Sequence, residues 1–151
     1  DRLRRRYWRL VGPRTVGVRT IVRNEDGDVV LVRHSYGRPE WHLPGGGVRR
    51  REALDDAARR ETREETGIRV ADDPGALTLH GVFSNLREGK SDHIAVFVAH
   101  RWRAATGGEE GDAEIAAVAW FPPSDPPADT SPGTRRRLLE VASGVTPGFR
   151  W

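Results

Sequence analysis

Residues 46–68 constrain this chain more than any other segment, and they read GGVRRREALDDAARRETREETGI. The segment begins as a glycine turn and continues as a helix. On a helical wheel of about 100° per residue, Leu54, Ala57 and Ala58 form a narrow apolar stripe. The positions that should extend this stripe toward the core hold glutamates instead. A helix face that begins as core therefore ends as a cluster of carboxylates.

Three glutamates, Glu61, Glu64 and Glu65, make up this cluster and need a compensating charge. Glu61 and Glu65 are a like-charge pair at i,i+4, which costs roughly 0.2–0.5 kcal/mol even when solvated, and burial would raise their pKa values. A hard divalent cation is the simplest compensation, and Mg²⁺ prefers oxygen ligands and substrate phosphates. Arg60 lies four residues before Glu64 and can pair with it. The alternative is a solvated, charge-laced helix, which we do not favour because the carboxylates fall on the core-facing stripe.

The spacing of this segment resembles the signature of the Nudix hydrolases. The matching positions are Gly46, Glu52, Arg60, Glu61, Glu64, Glu65, Gly67 and Ile68. Every charged and glycine position of the signature is filled, and Thr62 replaces the usual aliphatic residue with another β-branched one. The resemblance implies an α/β fold of the Nudix type, an α/β/α sandwich whose mixed central sheet carries a loop–helix–loop catalytic segment.

The remaining sequence predicts strands that alternate with turns, within one domain. We expect the domain to span residues 1–151, with a basic N-terminal segment at 1–14 and a C-terminal helix at 132–143. For that helix, Ser131 is the expected N-cap, Pro132 lies in the first turn and Gly144 ends it. An Asp-Gly pair in 24–28 predicts a hairpin turn. The predicted strands are 15–23, 29–34, 77–85, 93–102 and 114–121.

The resemblance implies Mg²⁺-dependent hydrolysis of a nucleoside diphosphate linked to another group, with Mn²⁺ as a possible substitute. By resemblance, the metal ligands are the carboxylates of Glu61, Glu64 and Glu65 and the backbone carbonyl of Gly45. Arg60 and Glu52 are further candidate catalytic residues. We expect Glu52 to support the site from a distance, because the helical wheel places it opposite Glu61. Gly45, Gly46 and Gly47 allow the backbone to approach metal and phosphate closely.

The general base stays open at this point. Glu61 or Glu64 could polarise the attacking water, or a later acidic residue could act: Glu109, Glu110, Asp112 or Glu114. We favour Glu114, which is also a candidate metal ligand, because many relatives carry a further glutamate before a comparable strand. The alternative for Glu114 is a solvated carboxylate at a strand end.

Substrate contacts are predicted in the loop before the glycine turn. Arg33 could reach phosphate, Tyr36 and Trp41 could stack on a base, and Gly46 and Gly47 could lie against the substrate. Trp41 is also a natural packing residue. The preferred substrate is an ordinary or oxidised (deoxy)nucleoside triphosphate, and the alternative is ADP-ribose or a sugar nucleotide. Three arginines of the last helix, Arg135, Arg136 and Arg137, are expected to be dispensable for chemistry.

Composition restricts the partners. The chain has no cysteine, which excludes disulfides, thiolate metal sites and cysteine nucleophiles and fits a cytoplasmic enzyme. No apolar run is long enough to cross a bilayer, and no apolar signal core follows the N-terminal arginines. The net charge of +3 suits an anionic partner. We expect a nucleotide substrate, no membrane contact, and a homodimer as one option because relatives often form dimers.

Two other classes of function are weighed against hydrolysis. A non-catalytic nucleotide sensor would be expected to lose the glutamates that this chain keeps. A nucleic-acid-binding module could use the arginines and aromatic residues of 2–9, but we favour a simple basic terminus there.

Overall fold

The computed structural model describes residues 12, 14–87, 91–104 and 114–151. Two helices and nine strands are found in this part of the chain. In order they are β1 (Arg14–Val22), β2 (Val29–His34), β3 (Trp41–His42), β4 (Gly45–Gly47), α1 (Leu54–Thr66), β5 (Arg69–Val70), β6 (Leu77–Asn85), β7 (Ser91–Ala99), β8 (Trp102–Arg103), β9 (Ile115–Phe121) and α2 (Pro132–Ser143).

The strands form a four-stranded mixed sheet, a three-stranded sheet and a two-stranded pair. Four strands run in the order β4-β1-β7-β6, where β1 and β7 are parallel and the other pairs are antiparallel. Three more run in the order β3-β2-β9, all antiparallel, and β5 pairs with β8. The backbone N–H of Thr20 donates to the carbonyl of Pro44 over 2.9 Å, which holds the approach to β4 against β1.

Alternation along β1 divides the core into two sides. Val18 faces α1 and packs with Ala57 and Ala58, whereas Ile21 packs with Leu138 of α2. Because neighbouring side chains of a strand point to opposite faces, the sheet lies between the two helices. This confirms the predicted α/β/α arrangement, and it places α1 directly against the sheet.

Most elements agree with the sequence prediction, and the differences have simple causes. The five predicted strands and the C-terminal helix are confirmed, with ends shifted by up to three residues. Four strands of two or three residues, β3, β4, β5 and β8, were missed because they are too short to show alternation. The predicted turn at 24–28 is present, but β1 and β2 then enter different sheets.

Two local predictions need correction. Ser131 occupies the N-cap of α2, but within the described residues its side chain makes no capping hydrogen bond. Leu54 does not belong to the buried stripe of α1, because it is the first residue of the helix and is 39% exposed. In the described part of the chain, no helix is both long and apolar enough to span a bilayer.

Candidate active site

The helix α1 carries the candidate site on the face that packs against the sheet. Ala57, Ala58, Thr62 and Glu65 are its buried residues. The helix ends at Gly67, which adopts a left-handed conformation (φ 74°) and donates its N–H to the carbonyl of Arg63. A carboxylate therefore takes a core position in the last turn of the helix, as the sequence predicted for Glu65.

Arg60 connects three carboxylates. Its Nε and Nη2 donate to the two oxygens of Glu52 over 2.6 and 2.9 Å, which is a bidentate pair. Its Nη1 donates to Glu61 over 2.7 Å and to Glu64 over 3.3 Å, and Nη2 also reaches the carbonyl of Gly47. The predicted pairing of Arg60 with Glu64 is thus present, but it is the longest of the carboxylate bonds.

The position of Glu52 differs from the expectation. The wheel argument that placed it opposite Glu61 was wrong, because α1 begins at Leu54 and Glu52 precedes the helix. Glu52 instead shares Arg60 with Glu61, and it also accepts the N–H of Arg49 over 2.8 Å. The hydrogen bond from Arg60, helped by that from Arg49, lowers the pKa of Glu52 to about 2. Glu52 therefore anchors Arg60 as a permanent anion near neutral pH.

The glycine turn is shaped to receive these carboxylates. A Cβ on Gly46 would lie 2.8 Å from Oε1 of Glu61, so the carboxylate of Glu61 fills the space that a side chain would need. At Gly45, where φ is 154°, a Cβ would lie 2.0 Å from the carbonyl oxygen of Val18. The N–H of Gly45 donates to Oε2 of Glu65 over 3.0 Å. The turn and the helix thus fit together only with glycine at both positions.

Glu65 lies deepest in the cluster. Its Oε1 is 3.2 Å from Nε2 of His34, at the end of β2. Burial raises the pKa of the Glu65 carboxyl, while the Gly45 N–H, Arg19 and His34 act in the opposite direction. His34 therefore positions a buried carboxylate, a role that its sequence context does not reveal.

Arg19 joins the carboxylates to a neighbouring cleft. Its Nη1 donates to the carbonyls of Leu43 over 2.8 Å and Gly45 over 3.4 Å, and burial lowers its pKa against the opposing effect of Glu65. Burial, together with Arg19 and His34, lowers the pKa of His42 to about 4. The cleft encloses about 590 Å³. The charged and aromatic residues that line it are Arg19, Arg38, Glu40, His42, Arg87, Asp92, Arg136 and Trp151.

The predicted substrate contacts lie outside this cleft. Trp41 is buried and packs edge-on against Phe121, in agreement with its interpretation as a packing residue. Arg33 lies over the Trp41 ring at 4.9 Å, and its Nη1 donates to Asp129 over 3.3 Å. Tyr36 is 60% exposed, with its ring 5.4 Å from that of His34. Gly46 and Gly47 form β4.

Glu114 lies beside the end of β2. Its carbonyl accepts hydrogen bonds from the backbone N–H of Ser35 over 2.8 Å and from its hydroxyl over 3.0 Å. The next residue, Ile115, is opposite His34 in the β2–β9 pair. Glu114 is exposed, and it directly precedes the residue that pairs with His34. The other three candidate bases, Glu109, Glu110 and Asp112, lie outside the described residues.

The donor chemistry of the cluster fits a hard divalent cation. Within the described part of the chain, no three acidic or histidine side chains stand in the arrangement of a complete metal site. Arg60 and Arg49 nevertheless face three carboxylates, so two positive charges meet three negative ones and the cluster keeps an excess of negative charge. Oxygen donors with excess negative charge are what Mg²⁺ prefers, and Glu64 keeps a third of its side chain exposed for access.

Comparisons with known proteins agree with this geometry. The NUDIX domain family model matches residues 13–141. A "MutT-like protein" of Streptomyces ambofaciens is 32% identical over 136 residues, which cover 90% of this chain and 82% of that protein. A Bacillus subtilis protein named "Putative 8-oxo-dGTP diphosphatase" is 30% identical over 133 residues, 87% of this chain and 82% of that one.

A solved structure also shares the fold. The MutT NUDIX hydrolase from Burkholderia pseudomallei superposes with a TM-score of 0.69 at 28% identity, over 84% of this chain and 97% of that one. The family match covers both the glycine turn and the whole of α1. With its signature helix in place against a mixed sheet, this chain belongs to the NUDIX domain family and is a Nudix hydrolase.

Proposed function

We propose that this protein is a Mg²⁺-dependent pyrophosphohydrolase of nucleoside triphosphates, with ordinary or oxidised (deoxy)nucleotides as substrates. The carboxylate face of α1, packed onto the glycine turn beside an arginine-lined cleft, is the observation that carries this proposal. The name of the Bacillus relative, which is that of an 8-oxo-dGTP diphosphatase, supports the oxidised nucleotide as the first substrate to test.

The metal would be held by the helix and the turn together. Nudix hydrolases generally use divalent metals, and we assign Glu61, Glu64, Glu65 and the carbonyl of Gly45 as the groups that would hold Mg²⁺ or Mn²⁺. Such an ion supplies charge neutralisation for the phosphate oxygens and a water of lowered pKa. Arg60 restrains Glu61 and Glu64 through its hydrogen bonds, so two of these carboxylates are oriented in advance.

The arginines of the cleft are suited to the substrate's phosphates. Arg19, Arg38, Arg87 and Arg136 come from separate elements and loops but line one cavity of about 590 Å³. That volume lies within the roughly 300–1,000 Å³ range of small-molecule sites, and guanidinium forks pair well with phosphate. Arg19 also bonds the carbonyl of Gly45, so a phosphate held by Arg19 would lie beside the carboxylate cluster.

Proton transfer from the attacking water has two candidate acceptors. Glu61 or Glu64 would act within the cluster, whereas Glu114 would act from the edge of the neighbouring sheet. Glu64 is the more exposed of the two helix carboxylates, with 33% of its side chain accessible against 14% for Glu61. Comparing pH–rate profiles of Glu64→Gln and Glu114→Gln would separate the two.

Product analysis on a nucleotide panel tests the proposal. The panel contains 8-oxo-dGTP, dGTP and the other nucleoside triphosphates, together with ADP-ribose and a sugar nucleotide, each incubated with and without Mg²⁺. We expect a nucleoside monophosphate and pyrophosphate from a triphosphate, and no product after chelation. Cleavage confined to ADP-ribose or the sugar nucleotide would assign the alternative substrate class. Tight nucleotide binding without any Mg²⁺-dependent product would instead make the protein a sensor.

A further inference from the structure

A second cleft lies behind α1, on the side of the helix that is turned away from the carboxylates. It encloses about 610 Å³ between α1 and the β5–β8 pair. Asp56, Arg59 and Arg63 line it from positions three, four and seven residues apart, so they share one helix face. Arg60 lies at the border, since it lines this cleft and also bonds Glu61. The helix thus separates a carboxylate face from an arginine face.

The charge of this cleft is strongly positive. Six arginines and two aspartates line it, a formal charge of +4. Arg59 and Arg101 form salt bridges with neighbouring aspartates, and Arg60 forms them with glutamates of the carboxylate cluster, which offsets part of that charge. Within the described residues, Arg63 and Arg103 are exposed and form no salt bridge. The cleft therefore keeps uncompensated guanidinium groups on both of its walls, one from α1 and one from β8.

The pairing of β5 with β8 increases this concentration of charge. Arg69 lies directly opposite Arg103 in the two-stranded pair, and both line the cleft. Like charges at directly opposite positions destabilise a strand pair. The pair is anchored next to them by Trp102, whose indole N–H donates to the carbonyl of Arg23 and whose ring stacks on Trp120. The pair thus places Arg103, which forms no salt bridge within the described residues, beside a second arginine on the same wall of the cleft.

We infer that this cleft binds a condensed phosphate, an anion with at least two linked phosphoryl groups. The planar fork of arginine matches phosphate oxygens in a bidentate manner, and the two forks without a salt bridge, Arg63 of α1 and Arg103 of β8, suit an anion with more than one phosphoryl group. The cavity volume falls in the range of small-molecule sites, roughly 300–1,000 Å³. Free pyrophosphate and the phosphate tail of a nucleotide share this chemistry. The site is separate from the carboxylate face and does not depend on which substrate that face hydrolyses.

Calorimetric titration of the full chain with sodium pyrophosphate tests the inference. The buffer contains EDTA, so that no metal–phosphate complex can form at the carboxylates. We expect binding by the unaltered protein and a Kd at least about tenfold weaker for Arg63→Ala combined with Arg103→Ala, because each arginine contributes charge-assisted hydrogen bonds. The matched control, Arg14→Ala with Arg135→Ala, removes the same charge elsewhere and should change Kd by less than about twofold.

Three further measurements keep the outcome unambiguous. Thermal melts show whether the Arg63→Ala/Arg103→Ala variant is folded. The variant Arg63→Lys with Arg103→Lys keeps the charge but lacks the guanidinium forks, so it should bind pyrophosphate with intermediate affinity. A parallel titration with ADP identifies the source: affinity equal to that of pyrophosphate, with the same loss in the variant, assigns the nucleotide tail. The inference is overturned if pyrophosphate does not bind, or if both double-alanine variants weaken binding equally.

Discussion

Two arginine–glutamate clusters, one at each helix, contain the same residue types but differ in charge balance and exposure. At α1, Arg60 and Arg49 face three carboxylates, which are between 14% and 33% exposed. At α2, Arg137 is 2% exposed and pairs with both oxygens of Glu140, over 2.7 and 2.8 Å. The first cluster has too little positive charge for its carboxylates, and the second is balanced.

The balanced cluster is also sealed by aromatic rings. The guanidinium of Arg137 lies 3.6 Å from the centroid of Phe83 and 5.5 Å from that of Trp151, and His80 contacts the same carboxylate of Glu140. Nothing in that arrangement calls for a further ion. The comparison teaches that the ratio of cations to carboxylates, together with access from solvent, distinguishes a cluster that can take a ligand from one that closes a core.

The largest expected effect is a loss of turnover, which we expect at the α1 cluster and not at the α2 cluster. Glu64→Gln should lower turnover by about 10²–10⁴-fold, because it removes a proposed metal ligand and proton acceptor. Its melting temperature should stay close to that of the unaltered protein. Glu140→Gln should do the reverse and lower stability while the folded fraction keeps its turnover. Phosphate-release kinetics and thermal melts of both variants check this, and normal Mg²⁺-dependent turnover by Glu64→Gln would contradict the proposed site.

The second prediction concerns the buried cluster. Arg137→Ala leaves Glu140 as an uncompensated buried charge, so the free energy of unfolding should fall by about 3–5 kcal/mol. Combining Arg137→Met with Glu140→Leu should recover much of that loss, because apolar replacement of a buried ion pair is often neutral. Urea titrations measure these differences. If the double replacement is as unstable as Arg137→Ala, the pairing itself is not what Glu140 requires.

Glycine-to-alanine substitutions test how closely the backbone is packed in the same two regions. Gly46→Ala would place a Cβ 2.8 Å from the carboxylate of Glu61, whereas Gly133→Ala would place one 2.2 Å from Nε1 of Trp151. We expect Gly46→Ala to lower turnover about ten- to hundredfold through displacement of Glu61, and Gly133→Ala to act on stability. Gly47→Ala meets no atom within 4 Å and should lose less activity than Gly46→Ala. Equal losses at Gly46 and Gly47 would refute displacement of Glu61 as the cause.

The sequence was sufficient to predict the helix α1, but it was not sufficient to predict the cleft beside it. The spacing of Arg60, Glu61 and Glu65 is local, and a 3.6-residue period places them on known faces of one helix. The cleft gathers Arg19, Arg87 and Arg136 from distant parts of the chain, and no short-range pattern marks such residues. The sheet order β4-β1-β7-β6 places β1 and the end of β6 in one sheet, and the packing of α2 against that sheet adds Arg136.

The arginines of the last helix show the same limit. Arg135, Arg136 and Arg137 are identical in type and adjacent in sequence, so composition cannot rank them. In the structure Arg135 bonds loop carbonyls, Arg136 lines the cleft and Arg137 is buried. Their separate roles follow from the 100° rotation between neighbours on a helix, combined with tertiary contacts that the sequence does not specify.

The smallest expected effect is a pH dependence at His42, which lines the arginine-rich cleft. Burial, Arg19 and His34 lower the pKa of His42 to about 4 from its usual 6.5, so between these values the unfolded chain binds a proton that the folded protein does not. Stability should therefore be full above pH 6.5 and fall as the pH drops toward 4, by at most about 1.4 kcal/mol per pH unit. The slope should be smaller than this limit, because the ring is partly exposed.

Replacing His42 tests the assignment of that slope. His42→Asn keeps a polar side chain without a titrating ring, so its unfolding free energy should vary less between pH 4 and 6.5 than that of the unaltered protein. His80→Asn at the α2 cluster is the matched comparison, since His80 lies against the carboxylate of Glu140 instead of two cationic groups. Denaturant titrations at several pH values measure both variants. An unchanged slope in His42→Asn would mean that a group other than His42 takes up the proton.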